Sequence, residues 1–353
     1  MSEAITPYPD HSRGIGPGDV HHPAVVWWLV ALAALVFVMV IVGGATRLTG
    51  SGLSITEWRP VTGAIPPLSA ADWALEFEKY RASPQYALLN KGMALAEFKF
   101  IYWWEWGHRQ LGRFIGLFHV AGLVLVCAAR WVSLRMGVLL FGLGLLLGTQ
   151  GAVGWIMVAS GLQPGMIAVA PVKLALHLSL ACLYFMGLVY VAVRVHREAD
   201  VTFRGVATPV LLLVLVFVQI VLGGFVAGSR AGFTLNTWPL LDGDFIPPAA
   251  KLFVASPWIE NFVDNPTLVQ FNHRMLAYVL CLLALWHGLA ARAENPGSDR
   301  ARRAMALTLL VWTQAALGIA TLLLVVPLWA GLAHQGLAIV VLAKAVRHVA
   351  LSR

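Results

Sequence analysis

Eight apolar stretches constrain the fold of this chain more than any other feature of its sequence. Each is long enough to cross a bilayer as a helix, which takes about 20 residues. They lie near residues 25–44, 107–129, 136–158, 172–193, 208–228, 268–291, 304–326 and 331–349. The 353 residues are 59% hydrophobic and 12% charged, which is more apolar side chain than a soluble protein could bury. We therefore predict an all-α integral membrane protein with eight transmembrane helices.

Arginines are unevenly distributed among the short loops, and this predicts the orientation of the helices. They are frequent near 130–135, 194–204 and 292–303 and absent near 159–171 and 327–330. Cytoplasmic loops carry an excess of basic residues, so both termini are predicted to be cytoplasmic and the two long loops to lie outside. This bias accounts for much of the net charge of +8, and we expect no nucleic acid partner.

The first 24 residues indicate the kind of membrane. They contain Glu3, Asp10 and Asp19 but a single arginine, Arg13. A mitochondrial transit peptide would be rich in arginine and poor in acidic residues. We therefore expect a multi-pass protein of a bacterial cell inner membrane, surrounded by the lipid bilayer.

The two halves of the chain repeat the same motifs in the same order, which predicts a tandem repeat of two four-helix bundles with the same orientation. The matched pairs are Gly43-Gly44 with Gly223-Gly224, Ile65-Pro66-Pro67 with Ile246-Pro247-Pro248, His108-Arg109 with His273-Arg274, Thr149-Gln150 with Thr313-Gln314, and His177 with His334. The predicted organisation is a cytoplasmic N-terminal segment at 1–24, an N-terminal bundle at 25–193 with a long outer loop at 45–106, a cytoplasmic linker at 194–207, and a C-terminal bundle at 208–349 with an outer loop at 229–267.

Four histidines lie near the starts of even-numbered apolar segments, two in each half. They are His108, His177, His273 and His334. In helices that alternate in direction, all four imidazoles fall at the same depth, towards the outer face. Two histidines from facing helices can bind one haem iron from both sides, so the pattern favours two haem sites. The alternative for each histidine is a hydrogen bond that links two helices.

Arginines accompany these histidines at the outer ends of the helices. Arg109, Arg113 and Arg274 follow the histidines, while Arg47 and Arg230 open the two outer loops. Guanidinium groups pair with carboxylates in a bidentate manner, so these residues are candidates for binding the propionates of haem. The alternative is that they reach the membrane interface, as arginine often does.

Glu105 is the acidic residue most closely associated with a candidate ligand. It stands three residues before His108 and should share a helix face with it. An acid in this position could accept protons or orient a ligand, although an acid near a helix N-terminus is also favoured by the helix dipole. The second half has Gln270 at the matching position, so the two sites are expected to differ in their chemistry.

Several of these motifs together resemble the haem A synthase family. The resemblance lies in the segments 43–54 (GGATRLTGSGLS), 105–113 (EWGHRQLGR), 271–274 (FNHR) and 333–335 (AHQ), and extends over about 25–349. The variant resembled is the alphaproteobacterial and mitochondrial one. Some bacterial members carry a cysteine pair in the outer loops, and this chain has no cysteine there, so a thiol relay does not apply to it.

The resemblance implies an activity and a division of labour. Haem A synthases oxidise a ring methyl group of haem O to a formyl group, through an alcohol and with oxygen from water, to make haem A for cytochrome oxidase. By position, His108 and His177 would face the substrate haem O, and Glu105 would handle protons or stabilise a cationic intermediate. His273 and His334 would bind a resident haem b as cofactor.

The expected partners follow from the same resemblance. Haem O is the substrate, and a haem O synthase and an electron acceptor in the membrane are expected to act with the chain. Association with further copies of the chain stays open. Arg109 and Arg113 are assigned to the substrate propionates, and Arg230 and Arg274 to those of the resident haem.

Two other functions stay open at this point. A quinone-linked cytochrome would use the 14-residue spacings of His273 to His287 and His334 to His348, which return to the same helix face about 21 Å along the axis. A transporter would explain the tandem repeat but not the histidines. The sequence assigns no role to Glu57, His119, His287 or His348.

Overall fold

The computed structural model describes residues 15–196 and 207–352. Within them the chain forms helices and no strand, as predicted. The α-helices are α1 (Ala24–Leu48), α2 (Ala70–Arg81), α3 (Pro84–Leu88), α4 (Leu95–Ala128), α5 (Leu134–Gly161), α6 (Pro171–His196), α7 (Ala207–Gly228), α8 (Ala249–Leu252), α9 (Asn261–Asp264), α10 (Pro266–Glu294), α11 (Asp299–Leu323) and α12 (Leu328–Ala350). Most of the predicted N-terminal segment and cytoplasmic linker, with Arg13, Arg197 and Arg204, lies outside the described residues.

Eight of these helices are long and apolar enough to cross a membrane, which confirms the predicted number. They are α1, α4, α5, α6, α7, α10, α11 and α12. The helix that contains the second predicted span, near 107–129, is longer than the span, because α4 begins at Leu95. Residues 95–106 include Glu97, Lys99 and Glu105, and these charges lower the mean hydropathy below that of a membrane span. Packing against the outer loop nevertheless continues the helix through these residues.

The membrane helices form two rings of four. In the first ring, α1 and α5 each pack against both α4 and α6, and in the second ring α7 and α11 each pack against both α10 and α12. The rings meet where α6 contacts α7 and where α12 contacts α1 and α6. Consequently α4 and α6 face each other diagonally, as α10 and α12 do.

Glycine permits the close approach of α6 and α7 at the junction between the rings. A Cβ atom at Gly228 would lie 2.6 Å from Cα of Pro171, and one at Gly224 would lie 3.1 Å from Cα of Ala175. Any side chain at Gly228 would have to displace backbone. The crossing therefore fixes the outer end of α7 against the start of α6.

The first long outer loop folds into a small layer of its own above α4. Trp73 and Tyr80 of α2 are buried against Phe98 and Tyr102 of α4, with ring centroids 5.0 Å apart for Trp73 and Tyr102 and 5.3 Å apart for Tyr80 and Phe98. Earlier in the same loop, the ring centroid of Trp58 lies 5.9 Å from that of Trp155 near the outer end of α5. The loop thus contacts two helices of the first ring and covers its outer side.

Each ring has a buried hydrogen bond between its diagonal helices on the side predicted to be cytoplasmic. In the first ring, His119 Nδ1 of α4 lies 2.8 Å from the Tyr184 hydroxyl of α6, and His119 Nε2 lies 3.2 Å from the Leu140 carbonyl. Because a carbonyl only accepts, Nε2 donates and Nδ1 accepts from the tyrosine. In the second ring, His287 Nε2 lies 2.8 Å from His348 Nε2. These bonds connect helices that otherwise lie across the ring from each other.

We predict that replacing Tyr184→Phe destabilises the protein by about 1–2 kcal/mol, because His119 Nδ1 is then buried without a donor. Denaturant unfolding of the purified protein in detergent measures the change. Tyr278→Phe is the matched control, since the Tyr278 hydroxyl accepts its bond from Trp238 at an exposed position where water can replace it. Equal losses in the two variants would show that the His119–Tyr184 bond has no special contribution.

Candidate functional site

The structure brings the four predicted histidines together in two pairs inside the rings. His108 of α4 and His177 of α6 are close enough to interact electrostatically, and so are His273 of α10 and His334 of α12. Each pair lies on diagonal helices of one ring. Two imidazoles on helices that face each other across a bundle can bind one haem iron from both sides.

A glycine of the neighbouring helix lies against each of the four imidazoles. A Cβ atom at Gly43 would lie 3.2 Å from His108 Nε2, one at Gly154 2.7 Å from His177 Cε1, one at Gly223 3.2 Å from His273 Cε1, and one at Gly318 2.7 Å from His334 Cε1. A larger residue would push the rings out of place. The sequence showed Gly43 and Gly223 as repeated residues, but their contact with the histidines becomes visible only in the structure.

Glutamines orient three of the four histidines. The Nε2 atom of Gln150 lies 3.2 Å from His177 Nε2, that of Gln219 3.1 Å from His273 Nδ1, and that of Gln314 3.0 Å from His334 Nδ1. Gln219 and Gln314 also donate to the backbone carbonyl of their histidine, at 3.0 and 2.9 Å. This role is not visible in the sequence, although Gln150 and Gln314 are residues of the repeat.

His108 is the exception among the four. Gln219 stands four residues before Gly223 in α7, and the residue four before Gly43 in α1 is Met39, which has no hydrogen-bonding group of that kind. Both histidines of the second ring are therefore held by an amide, and only one histidine of the first ring is. The second pair is the more rigidly oriented of the two.

The residues present fit a haem held between each pair. Two imidazoles on diagonal helices of an apolar ring are a suitable donor set for iron, and the glycines beside them leave room for the imidazole rings. His177 Nδ1 is buried without a hydrogen-bond partner among the described residues, so the protein leaves a polar atom unsatisfied at this site.

Glu105 is buried at 2% exposure, and its carboxylate has three partners. Oε2 accepts from the Ser54 hydroxyl at 2.7 Å and from the Ile55 backbone N–H at 2.8 Å, while Oε1 accepts from Arg109 at 2.6 Å. Arg109 also donates to the Ile55 and Glu57 carbonyls at 2.8 and 3.1 Å. The pair ties α4 to the loop that follows α1.

The second ring uses an amide for the same connection. Gln270 donates to the Ala231 carbonyl at 2.9 Å and accepts from Arg274, which also donates to the Thr237 carbonyl at 2.7 Å. Gln270 is thus not simply the absence of an acid, as the sequence alone indicated. Like Glu105, it connects its helix to an outer loop, but it has no negative charge.

The predicted propionate-binding arginines have different surroundings. Arg113, like Arg109 and Arg274, donates to loop carbonyls, those of Pro60 at 2.9 Å and Arg59 at 2.8 Å. Arg230 is exposed after α7, close enough to Arg47 at the end of α1 for their positive charges to repel each other. Arg47 and Arg230 form no ion pair within the described part of the chain, so their guanidinium groups stay available for a carboxylate ligand.

His287 and His348 are buried and hydrogen-bonded directly to each other, at the opposite end of α10 and α12 from the second histidine pair. A metal ion between two imidazoles needs their nitrogens about 4 Å apart, twice a typical metal–nitrogen bond. Their separation of 2.8 Å is too short for that. The geometry therefore argues against a second haem in this bundle, which the quinone-linked cytochrome required.

Comparison with known proteins gives one consistent result. Residues 26–346 match the COX15-CtaA family, described as cytochrome oxidase assembly proteins. The chain is 63% identical over 327 residues to a Heme A synthase of Methylobacterium sp. (strain 4-46), covering 92% of this chain and 91% of the relative. It is 60% identical over 340 residues to a Heme A synthase of Methylobacterium radiotolerans, covering 96% and 92%. It is 47% identical over 340 residues to a Heme A synthase of Brucella ovis, covering 95% and 94%.

Matches of this length and identity confirm the resemblance that the motifs at 43–54 and 105–113 indicated. They include the helices of both rings and the four paired histidines. The chain is a member of the COX15-CtaA family of cytochrome oxidase assembly proteins, to which haem A synthases belong.

Proposed function

We propose that this protein is a haem A synthase, an oxidoreductase that converts a ring methyl group of haem O into the formyl group of haem A. Relatives of that name align with more than nine-tenths of the chain. The paired histidines within each ring carry the proposal, because they offer two places where a haem can lie. A transporter has no need of such pairs.

The two rings bind different haems in this proposal. His273 and His334, in the C-terminal bundle at 208–349, bind a resident haem b, which supplies one-electron redox chemistry when bound. His108 and His177, in the N-terminal bundle at 25–193, receive the substrate haem O. The glutamines on both histidines of the second pair support a permanent ligand there. In the first ring, Met39 stands at the position that matches Gln219, so His108 has the freedom that an exchanging substrate needs.

Glu105 accounts for proton transfer in the proposed reaction. Conversion of a methyl group to a formyl group consumes one water and releases four protons and four electrons. A carboxylate one turn from His108 can accept such protons, and its contacts with Ser54 and Ile55 connect it to the outer loop. Arg109, 2.6 Å away, stabilises the carboxylate between transfers.

The outer arginines complete the proposed haem sites. Arg47 and Arg230 are the residues whose guanidinium groups are best placed to pair with propionates, while Arg109, Arg113 and Arg274 contribute positive charge as they hold the loops. In this proposed topology, both termini lie in the cytoplasm and the haem sites lie towards the periplasmic side of a bacterial inner membrane. A haem O synthase and a membrane electron acceptor remain the expected partners.

We predict that His273→Ala and His334→Ala each abolish the low-spin b-type absorption of the purified protein or convert it to high spin, because an axial ligand is lost. Visible spectra before and after reduction measure this. His287→Ala and His348→Ala are the controls and should keep the low-spin spectrum. Loss of a b-type haem from the two controls would favour the cytochrome instead.

We predict that Glu105→Gln leaves a folded protein with its resident haem b but lowers haem A formation at least tenfold, because the charge and basicity are lost. Chromatography of haems from cells that make haem O measures the product. Gln270→Glu is the reciprocal variant and should keep haem A formation. If the two variants lose haem A and haem b alike, the residues serve only to hold the loops.

We predict that Gly318→Ala weakens retention of haem b severalfold, since the added methyl group would lie 2.7 Å from the His334 ring and must displace it. Haem content per protein after dialysis against a haem-binding apoprotein measures retention. Gly142→Ala is the control, because a methyl group there meets no atom within 4 Å. Retention unchanged in both would mean that the imidazole tolerates displacement.

A further inference from the structure

The second ring is closed between α10 and α11 by side chains that cross the gap. Thr308 of α11 donates to the Ala284 carbonyl of α10 at 2.6 Å. One turn further along, the Trp312 indole donates to the Cys281 carbonyl at 3.2 Å. The large indole thus lies against α10, between the second histidine pair and the surrounding lipid.

The first ring has glycine at the matching positions. The repeat pairs Gln150 with Gln314 and His108 with His273, so Gly148 of α5 corresponds to Trp312 and Gly116 of α4 to Cys281. A Cβ atom at Gly148 or at Gly116 would meet nothing within 4 Å. The side chain that closes the second ring is therefore missing from the first, and no neighbour replaces it.

The gap between α4 and α5 has a defined lower end. Gly144 lies one turn before Gly148 on the same helix face, and a Cβ atom there would be 2.9 Å from the His119 ring of α4. The helices touch at this point and separate beyond it, since Gly151, nearly two turns further on, again has nothing within 4 Å. The gap therefore runs from His119 towards the level of His177.

The surroundings of the gap are apolar and face the membrane. No residue of α5 between Leu140 and Gly161 is buried. Both helices carry exposed apolar side chains along this stretch, among them Leu117 of α4 and Leu145 and Trp155 of α5. An alkyl chain lying in this gap would remain in an apolar environment along its whole length.

We propose that the cleft between α4 and α5, lined by Gly116, Gly148 and Gly151, holds the isoprenoid tail of the substrate haem and opens sideways to the bilayer. This inference rests on the proposed function. Haem O differs from haem b by a long isoprenoid substituent, which needs an apolar channel leading out of the porphyrin pocket. Trp312 closes the equivalent channel in the second ring, so that ring accepts a haem without a tail. The cleft thereby determines which haem each ring binds.

A single substitution at Gly148 tests the cleft. Gly148→Trp installs the residue of the second ring and should weaken haem O binding at least tenfold, with haem A formation falling in parallel and resident haem b unchanged. Haem O titration monitored by absorbance gives the affinity, and haem chromatography gives the product. Gly142→Trp, on another face of α5, is the matched control and should have no effect.

A labelling experiment keeps the test decisive if the tryptophan variant does not fold. Gly148→Cys is purified and then treated with a bulky maleimide, with the treated wild type as control for reaction at the exposed Cys127. Labelled Gly148→Cys should lose haem O binding, and the treated wild type should keep it.

The reverse variant tests the second ring. Trp312→Gly should let the second ring bind haem O in place of haem b.

The outcomes separate the cleft from the proposed function. A wild-type protein that makes no haem A would contradict the function, and the haem O titrations would still decide the cleft. A wild type that makes haem A, together with a Gly148→Trp or labelled Gly148→Cys protein that binds haem O equally well, would overturn the cleft and leave the function standing.

Discussion

Polar groups inside a membrane need partners within the protein, and this requirement shapes the whole interior of the two rings. Each ring must place two imidazoles from diagonal helices at one depth, although those helices do not pack along their length. Glycines of the adjacent helices, such as Gly154 against His177 and Gly318 against His334, let the rings lie flat between neighbours. The amides of Gln150 and Gln314 then set their orientation.

The diagonal helices are connected directly at one end of each pocket. On the side predicted to be cytoplasmic, His119 with Tyr184 and His287 with His348 bridge them. On the outer side, Glu105 and Gln270 instead connect α4 and α10 to the loops that follow α1 and α7, which are neighbouring helices. The imidazole pairs lie between these two levels of polar contacts.

The sequence predicted the number of helices and the histidine pairs, because hydropathy and the repeat report directly on them. It did not predict the start of α4 at Leu95, since acidic and basic residues there interrupt the apolar pattern while aromatic packing on α2 maintains the helix. Nor did it show that Arg109 and Arg274 donate most of their hydrogen bonds to loop carbonyls. A charged side chain near a candidate ligand suggests a ligand contact, and only the path of the loop backbone reveals the competing partner.

The packing of the first outer loop on α4 is a contact that the sequence could not predict. Trp73 and Tyr80 occur at helical spacing, but α2 ends at Arg81 and a new helix follows. Their burial against Phe98 depends on the outward extension of α4. A long-range contact of this kind leaves no periodic signal of its own.

The differences between the rings are concentrated around the histidine pairs, where the proposed function needs one haem to remain and the other to be exchanged. Met39 replaces Gln219 beside one histidine, Glu105 replaces Gln270 beside the loop, and Gly148 replaces Trp312 between two helices. Each substitution removes a constraint from the first ring or adds a charge to it, while the packing order of the helices is unchanged. In the proposed function, a repeat in which both rings had Gln219, Gln270 and Trp312 would hold two haems and exchange neither. The proposed function therefore requires the first ring to be the less completely closed of the two bundles.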